Sequence, residues 1–277
     1  MKYKLMGLVR RLGLLPLADK LRYAQRQLEV AAANRRFLAA NPGYRLPPKH
    51  LAFDAYNSVD WTGYDEVGRA QASVFADAVK AHGAPGPLAV LEWGCGPGRL
   101  IRHLPGLLGS RLGRLVGSDY NPESIRWCRD NLPGIEFADN GLMPPLAFPD
   151  ASFDVIYNFS VFTHLSEAAH HAWAAELLRL LKPGGILLST THGDAYQYLL
   201  SSEAERARYA RGEIVTQDGY EEGKKLYFAV HPPSFVTGRL FSAFDDVQPI
   251  AVDPASGMLQ TLWLARRPAL QPEAVPA

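Results

Sequence analysis

Three glycines at alternate positions, Gly94, Gly96 and Gly98, follow the apolar run Leu88-Ala89-Val90-Leu91 after Glu92-Trp93 and lead into Arg99-Leu100-Ile101. Such a turn lets the backbone reverse sharply and lets a ligand approach the main chain with no Cβ in the way. The chain is thereby committed to a strand, a glycine-rich loop and a helix. From here short strand candidates, at 88–92, 115–119, 135–138, 153–158 and 186–191, alternate with helices near 99–108, 122–131 and 167–181. Strands separated by helices join through right-handed crossovers into a mostly parallel sheet. The fold class expected is α/β, a doubly wound Rossmann-like sheet with an N-terminal helical appendage. Asn121-Pro122 supplies a helix cap and a first-turn proline, Ser166 caps the next helix, and Lys182-Pro183-Gly184-Gly185 turns the chain out of it.

The flanks read differently. Residues 1–36 hold nine Lys or Arg against Asp19 and Glu29, a net +7, whereas the whole chain carries only +1. Leucines recur there at helical spacing on either side of Pro16, which predicts two basic amphipathic helices. They are expected to pack on the protein body or on a partner, with a membrane surface the less favoured alternative because interfacial Trp and Phe are absent before Phe37. Residues 1–48 form this extension and its proline-rich linker, 49–87 a helical region placed to act as a lid, 88–267 the α/β domain with a substrate-side insertion at 192–232, and 268–277 a disordered Pro/Ala-rich tail. A final helix is expected over 233–244 and a closing strand pair at 246–252 and 259–265. Two cysteines in a chain of 277 residues provide no disulfide framework, and no apolar run approaches a membrane span. The expected compartment is the cytoplasm. Nucleic acid is disfavoured as a partner because the α/β segment shows no basic stripe with interleaved aromatics.

The glycine loop can be separated from its closest rival. A dinucleotide fingerprint needs glycine at the first, third and sixth positions, and the sixth position here is Arg99. Glu92, just before the loop, would sit badly against a pyrophosphate and well against a cationic ligand. Asp119 ends the second strand candidate, where doubly wound folds place an acid on ribose hydroxyls, and two carboxylate oxygens can accept from both of them. Asp139, ending the third candidate, could accept from an adenine amino group.

Together, Glu92-Trp93-Gly94-Cys95-Gly96-Pro97-Gly98, Asp119, Asp139, Ser152-Phe153-Asp154-Val155-Ile156 and Leu180-Leu181-Lys182-Pro183-Gly184-Gly185 resemble, in order, the motifs of class I S-adenosylmethionine-dependent methyltransferases. That cofactor carries an ammonium and a sulfonium and no phosphate, which agrees with Glu92. The resemblance is specific over 88–191. It implies a seven-stranded sheet whose last strand is antiparallel. It also implies that Glu92, Gly94, Cys95, Gly96, Gly98, Asp119, Tyr120, Asp139 and Asn140 line the cofactor, with Asn158 and Phe159 beside its methionyl group.

Methyl transfer is an in-line displacement, so positioning supplies much of the rate, and a hydroxyl acceptor also needs a base. No Asn/Asp-Pro-Pro-Tyr run follows the fourth strand candidate, and neither cysteine is placed as a nucleophile. His164, His192 and His231 are the candidate bases; the first two end strands that converge on the ligand crevice. No metal-binding pattern is present. The activity expected is O-methylation of a small-molecule or glycan-linked hydroxyl. The alternatives are N- or C-methylation of a small metabolite, or a non-catalytic cofactor-binding partner subunit. Tyr56, Trp61 and Tyr64 are placed either to cover the cofactor or simply to pack against the sheet.

Overall fold

Along the first strand of the domain, Leu88 and Val90 face one side and Leu91 and Trp93 the other, and all four are buried. A strand buried on both faces belongs at the centre of a sheet covered by two helical layers, and that is where the computed structural model, which describes residues 15–217 and 219–269, places it. The predicted helix before Leu15 and the tail beyond Ala269 lie outside the described residues.

The described chain opens with four helices, α1 (Leu15–Glu29), α2 (Ala31–Ala40), α3 (Lys49–Tyr56) and α4 (Trp61–His82). Then follow β1 (Leu88–Trp93), the short α5 (Leu104–Leu108), β2 (Leu112–Asp119), α6 (Pro122–Asn131), β3 (Glu136–Asp139), β4 (Phe153–Asn158), α7 (Glu167–Leu180) and β5 (Leu181–Thr191). The insertion contributes α8 (Glu203–Ala210) and a small hairpin-like sheet of β6 (Val215–Thr216) and β7 (Ala229–Val230). Strands β8 (Asp245–Ile250) and β9 (Thr261–Arg266) close the domain. The main sheet has seven strands in the order β3-β2-β1-β4-β5-β9-β8, parallel except that β9 runs antiparallel to both neighbours. The strand order reverses between β1 and β4, so a crevice opens beyond their carboxyl ends.

One apolar layer lies under α7 and the segment after β7, built on Leu91, Trp93, Phe153, Trp173, Phe235 and Trp263. The other lies under α4, α5 and α6, built on Phe75, Val79, Val90, Ile101, Val155 and Tyr157. Asp154 braces the sheet, its Oδ2 accepting from the Ala89 amide and from Lys182 Nζ, both at 2.8 Å. The capping read from sequence is present: Asn121 accepts from the amides of Glu123 and Ser124, and Ser166 from that of Ala169.

Three local predictions give way to backbone chemistry. The helix expected over 99–108 is broken into a 3-10 turn at Ile101–His103 and α5, since Pro105 cannot donate an amide hydrogen bond and Gly106 favours no helix. The expected last helix is a turn at Pro233–Phe235 running into a wide π turn at Val236–Leu240. The Lys182-Pro183-Gly184-Gly185 turn belongs to β5 as an irregularity, with the register to β4 shifting between Phe153 and Val155.

The N-terminal helices join the domain through polar contacts as well as rings. Buried Asn34 of α2 donates to the Val59 carbonyl at 2.7 Å and accepts from the Trp61 amide at 2.9 Å, which fixes the start of α4. Trp61 and Tyr64 pack in a separate cluster with Ala52, against Phe37, Tyr44, Leu46 and Tyr56. α1 meets the body through Tyr23 on Phe53, ring centroids 4.8 Å apart. Its leucines Leu17, Leu21 and Leu28 point outward, 57, 64 and 80% exposed, so this stripe does not pack on the protein body, one of the two placements expected from the sequence.

Phe75 joins α4 to the sheet, with its ring 4.9 Å from that of Tyr157. Phe75→Ala removes a fully buried ring and is expected to destabilise the fold by about 3–5 kcal/mol, read as a lower urea midpoint at unchanged slope.

Candidate functional site

The carboxyl ends of β1, β2, β4 and β5 border a cavity of about 550 Å³. Its floor is the glycine loop. Gly94 has φ +79° and Gly98 φ +73°, and a Cβ at these positions would lie 2.2 Å from Val161 Cγ2 and 2.5 Å from Leu132 Cδ1. Both glycines therefore answer a left-handed backbone and a close approach at once. The amides of Gly94 and Cys95 donate to the Ser118 carbonyl at 2.7 and 2.9 Å, tying the loop to β2.

Asp119 lines the cavity, and its two oxygens accept from the amides of Gly96 and Asn121, each at 2.8 Å. Burial raises its pKa while these two N–H groups oppose the rise. Each oxygen keeps a lone pair for a further donor. Tyr120 also lines the cavity, its hydroxyl donating to the Gly223 carbonyl of the insertion at 2.8 Å. Asn140 reaches the cavity from the end of β3; its amide donates to the Asp119 carbonyl at 3.1 Å, and its buried Oδ1 has no hydrogen-bond partner. Gly94, Gly96 and Phe159 complete the set of expected cofactor residues that face the cavity.

The other expected residues sit elsewhere. Glu92 is buried behind the loop, accepting from the Tyr157 hydroxyl at 2.5 Å. Burial pushes its pKa up to about 8 against the pull of that hydrogen bond and of Arg99. Cys95 and Cys128 pack under the loop as buried free thiols, with Gly98 between the loop and α6. Asp139 points to solvent and pairs with Arg129 at 3.3 Å. Asn158 is fully buried, accepting from the Ser189 hydroxyl at 3.1 Å.

Of the histidines, His164 and His192 line the cavity and His231 does not. His164 Nδ1 lies 2.7 Å from the Tyr227 carbonyl, and His192 Nδ1 lies 3.1 Å from the Ala229 carbonyl. A carbonyl can only accept, so each Nδ1 carries the proton and each Nε2 presents a lone pair. Burial lowers both pKa values, that of His192 to about 3, where the neighbouring His164 adds to the effect; His164 is drawn partly back by the Tyr227 contact and by Asp54. His192 also stacks on Tyr196, ring centroids 3.9 Å apart. His231 is buried with its Nε2 2.7 Å from Nε2 of His170. Among the described residues no group of three or more His, Cys, Asp or Glu could hold a metal ion.

Sequence reasoning missed Arg99. Its guanidinium is buried on the cavity wall, 4.2 Å from the centroid of the Tyr56 ring, and donates to Gln71 Oε1 at 2.7 Å. Its Nε has no partner, and among the described residues no carboxylate lies within ion-pairing distance. A buried cation with spare donors is suited to an anionic group of a ligand. Tyr56, held between the Cys95 carbonyl and the Arg99 amide, places the end of α3 against the loop. The only sequence signal for Arg99 was its place straight after the last glycine.

Residues 90–185 match the family model described as a methyltransferase domain. The chain is 35% identical over 102 residues to a probable S-adenosylmethionine-dependent methyltransferase of Mycolicibacterium smegmatis, covering 37% of each protein. It is 35% identical over 107 residues to 2-methyl-6-phytyl-1,4-hydroquinone methyltransferase of Synechocystis sp., covering 38% of this chain and 32% of that protein. The chain thus spans about a third of the length of the curated relatives it matches. Its fold is shared with Streptomyces venezuelae DesVI at TM-score 0.52 and 16% identity, covering 82% of this chain and all of that one. The cavity lining includes groups that could hold S-adenosylmethionine. Asp119 could accept from a ribose diol and the guanidinium of Arg99 could donate to a carboxylate.

Asp119→Ala removes the acceptor for the ribose and releases two loop amides. S-adenosylhomocysteine should bind at least about tenfold more weakly by calorimetry, the loss of one or two charge-assisted bonds of about 1.5–3 kcal/mol each. Glu92 makes a separate demand. Because its folded-state pKa of about 8 exceeds its ordinary 4.5, its contribution to stability is complete below about 4.5 and is lost as pH rises through about 8. Denaturant unfolding of the ligand-free protein should show stability declining over that window, and Glu92→Gln should flatten the decline.

Proposed function

We propose that this chain, which belongs to the class I S-adenosylmethionine-dependent methyltransferase family, transfers a methyl group to a hydroxyl of a small-molecule or glycan-linked acceptor. S-adenosylmethionine is its cofactor. When bound, it supplies an electrophilic methyl group on a positively charged sulfur.

The observation that carries the hydroxyl reading is the pair of neutral imidazoles on the cavity, His164 and His192, each with Nδ1–H spent on a carbonyl and Nε2 left as a lone pair. A neutral hydroxyl is a poor nucleophile until a base takes its proton. His164 is assigned as that base. Asp54 and the Tyr227 carbonyl both favour its protonated form, whereas His192, held down at about 3, is the weaker proton acceptor and positions the acceptor by hydrogen bonding. Charge balances in the step: as the acceptor oxygen forms its bond to carbon and the carbon–sulfur bond breaks, the positive charge leaves sulfur, and the released proton puts one on His164. A site arranged to tolerate a cation before transfer holds one cation after it. Asp54, Asn57 and Gln260 offer polar groups and Tyr196, Tyr198 and Phe228 offer ring faces on the same cavity, a combination suited to a polyhydroxylated or phenolic acceptor.

The test is a panel of hydroxyl and amine acceptors incubated with a methyl-labelled cofactor. Transfer to hydroxyls is expected, and transfer to amines alone would overturn the reading. With the best hydroxyl acceptor, His164→Ala should lower turnover about a hundredfold while S-adenosylhomocysteine affinity stays nearly unchanged. The base must be neutral to act, and burial lowers its pKa, so the acid limb of turnover should fall below the ordinary histidine value of 6.5 and activity should be level above it.

A further inference from the structure

We propose that α1 is a docking helix for an anionic lipid surface, lying along the interface with its leucine face turned toward the acyl chains. Leu17, Leu21 and Leu28 share one helical face with Ala24 between them, and all three leucines are exposed on the side opposite the Tyr23–Phe53 contact that holds the helix to the body. A face of exposed leucines costs the protein hydration free energy unless something covers it.

Charge identifies the occupant. Lys20, beside Leu21 and three residues from Leu17 on α1, and Arg35 and Arg36 on the following helix α2 are exposed, while Arg26 is taken up by Glu29. Both acids of α1 are already paired, Asp19 with Arg22 at 2.7 Å and Lys225 at 2.6 Å, and Glu29 with Arg26 at 3.0 Å. The sequence concentrates a net +7 in residues 1–36 of a chain whose total is +1. A second copy of the same face would set this basic segment against itself, whereas anionic headgroups match its cations and acyl chains match the leucines. No helix among the described residues is long and apolar enough to cross a membrane.

The helix is fastened to the rim of the cavity. Arg22 donates to Asn57 Oδ1 at 2.8 Å and Asp19 holds Lys225, and both Asn57 and Lys225 line the cavity. Docking of α1 would therefore set the mouth of the site at the lipid surface.

The experiment is co-sedimentation of the full chain with vesicles of equal parts phosphatidylglycerol and phosphatidylcholine, and with phosphatidylcholine alone, at low and high salt. Pelleting is expected only with the anionic vesicles and only at low salt, because headgroup attraction is screened. The triple variant Leu17→Ser, Leu21→Ser, Leu28→Ser should lower partitioning at least about tenfold, with circular dichroism and S-adenosylhomocysteine affinity unchanged; Arg35→Glu with Arg36→Glu should lower it without touching the leucines. No pelleting with anionic vesicles at low salt would overturn the proposal. So would a serine variant that pellets like the parent, or a dimer in sedimentation velocity that the serine variant loses, which would give the face to a second copy.

Discussion

Two backbone amides meet the carboxylate of Asp119, one from Gly96 in the loop after β1 and one from Asn121 at the cap of α6. Everything else in the cavity is built around that junction. The carboxylate sits where two parallel strands end side by side, Glu92 opposite Gly117 and Trp93 opposite Ser118. By accepting from both segments it fixes the loop's height above the sheet and the direction in which α6 departs. The same residue's carbonyl takes the Asn140 amide, so β3 is drawn into the junction as well. A loop with three positive-φ glycines has little stiffness of its own; here its stiffness is borrowed from a single buried acid.

The electrostatic layout of the cavity follows from what burial does to each charge. Arg99 stays cationic despite its burial because Tyr56 and Gln71 solvate it, and it has spare donors for an anion. Glu92 is held near neutrality by the same burial, with the Tyr157 hydroxyl as its partner. Burial also favours the neutral form of His164 and His192 on the same cavity. The cavity lining thus combines the cations Arg99 and Lys225, the carboxyl groups of Asp119 and Asp54, and two neutral imidazoles.

The α/β frame was legible because its signals are local and redundant. Alternating apolar runs, the Asn121-Pro122 and Ser166 caps and the glycine spacing each point to the same topology. The boundaries failed where one residue overrode a periodicity, as Pro105 did in the helix expected after the loop. In the site, Asp119 and Asn140 could be placed by strand ends alone. Glu92 could not, because the sequence does not say whether a side chain at a loop's start turns toward the ligand or inward to Tyr157. Asp139 ends β3 and Asn140 lies just past it; both are candidates by position, and geometry turns Asp139 to Arg129 and puts only Asn140 on the cavity. Arg99 and Gln260 come from segments whose meeting depends on the whole tertiary fold, and His231 reads like its fellow histidines until the buried contact with His170 is seen. α1 is the converse case: its leucine pattern was plain, but periodicity does not reveal which way a helix faces.

The walls of the cavity come from segments as distant as Leu51 and Gln260. Between them stand nearly all the strands of the sheet, and the insertion is pinned to β2 through Tyr120 and Gly223. No partial assembly of the chain therefore presents a finished site: the loop can form once β1 and β2 pair, but its opposite wall waits on residues translated much later. Contacts of such long sequence separation are slow to form, and a ligand that touches all of them binds only the completed fold. Occupancy of this cavity is in that sense a report on the whole polypeptide, and a bound ligand would act as the last tie across a structure closed from both ends.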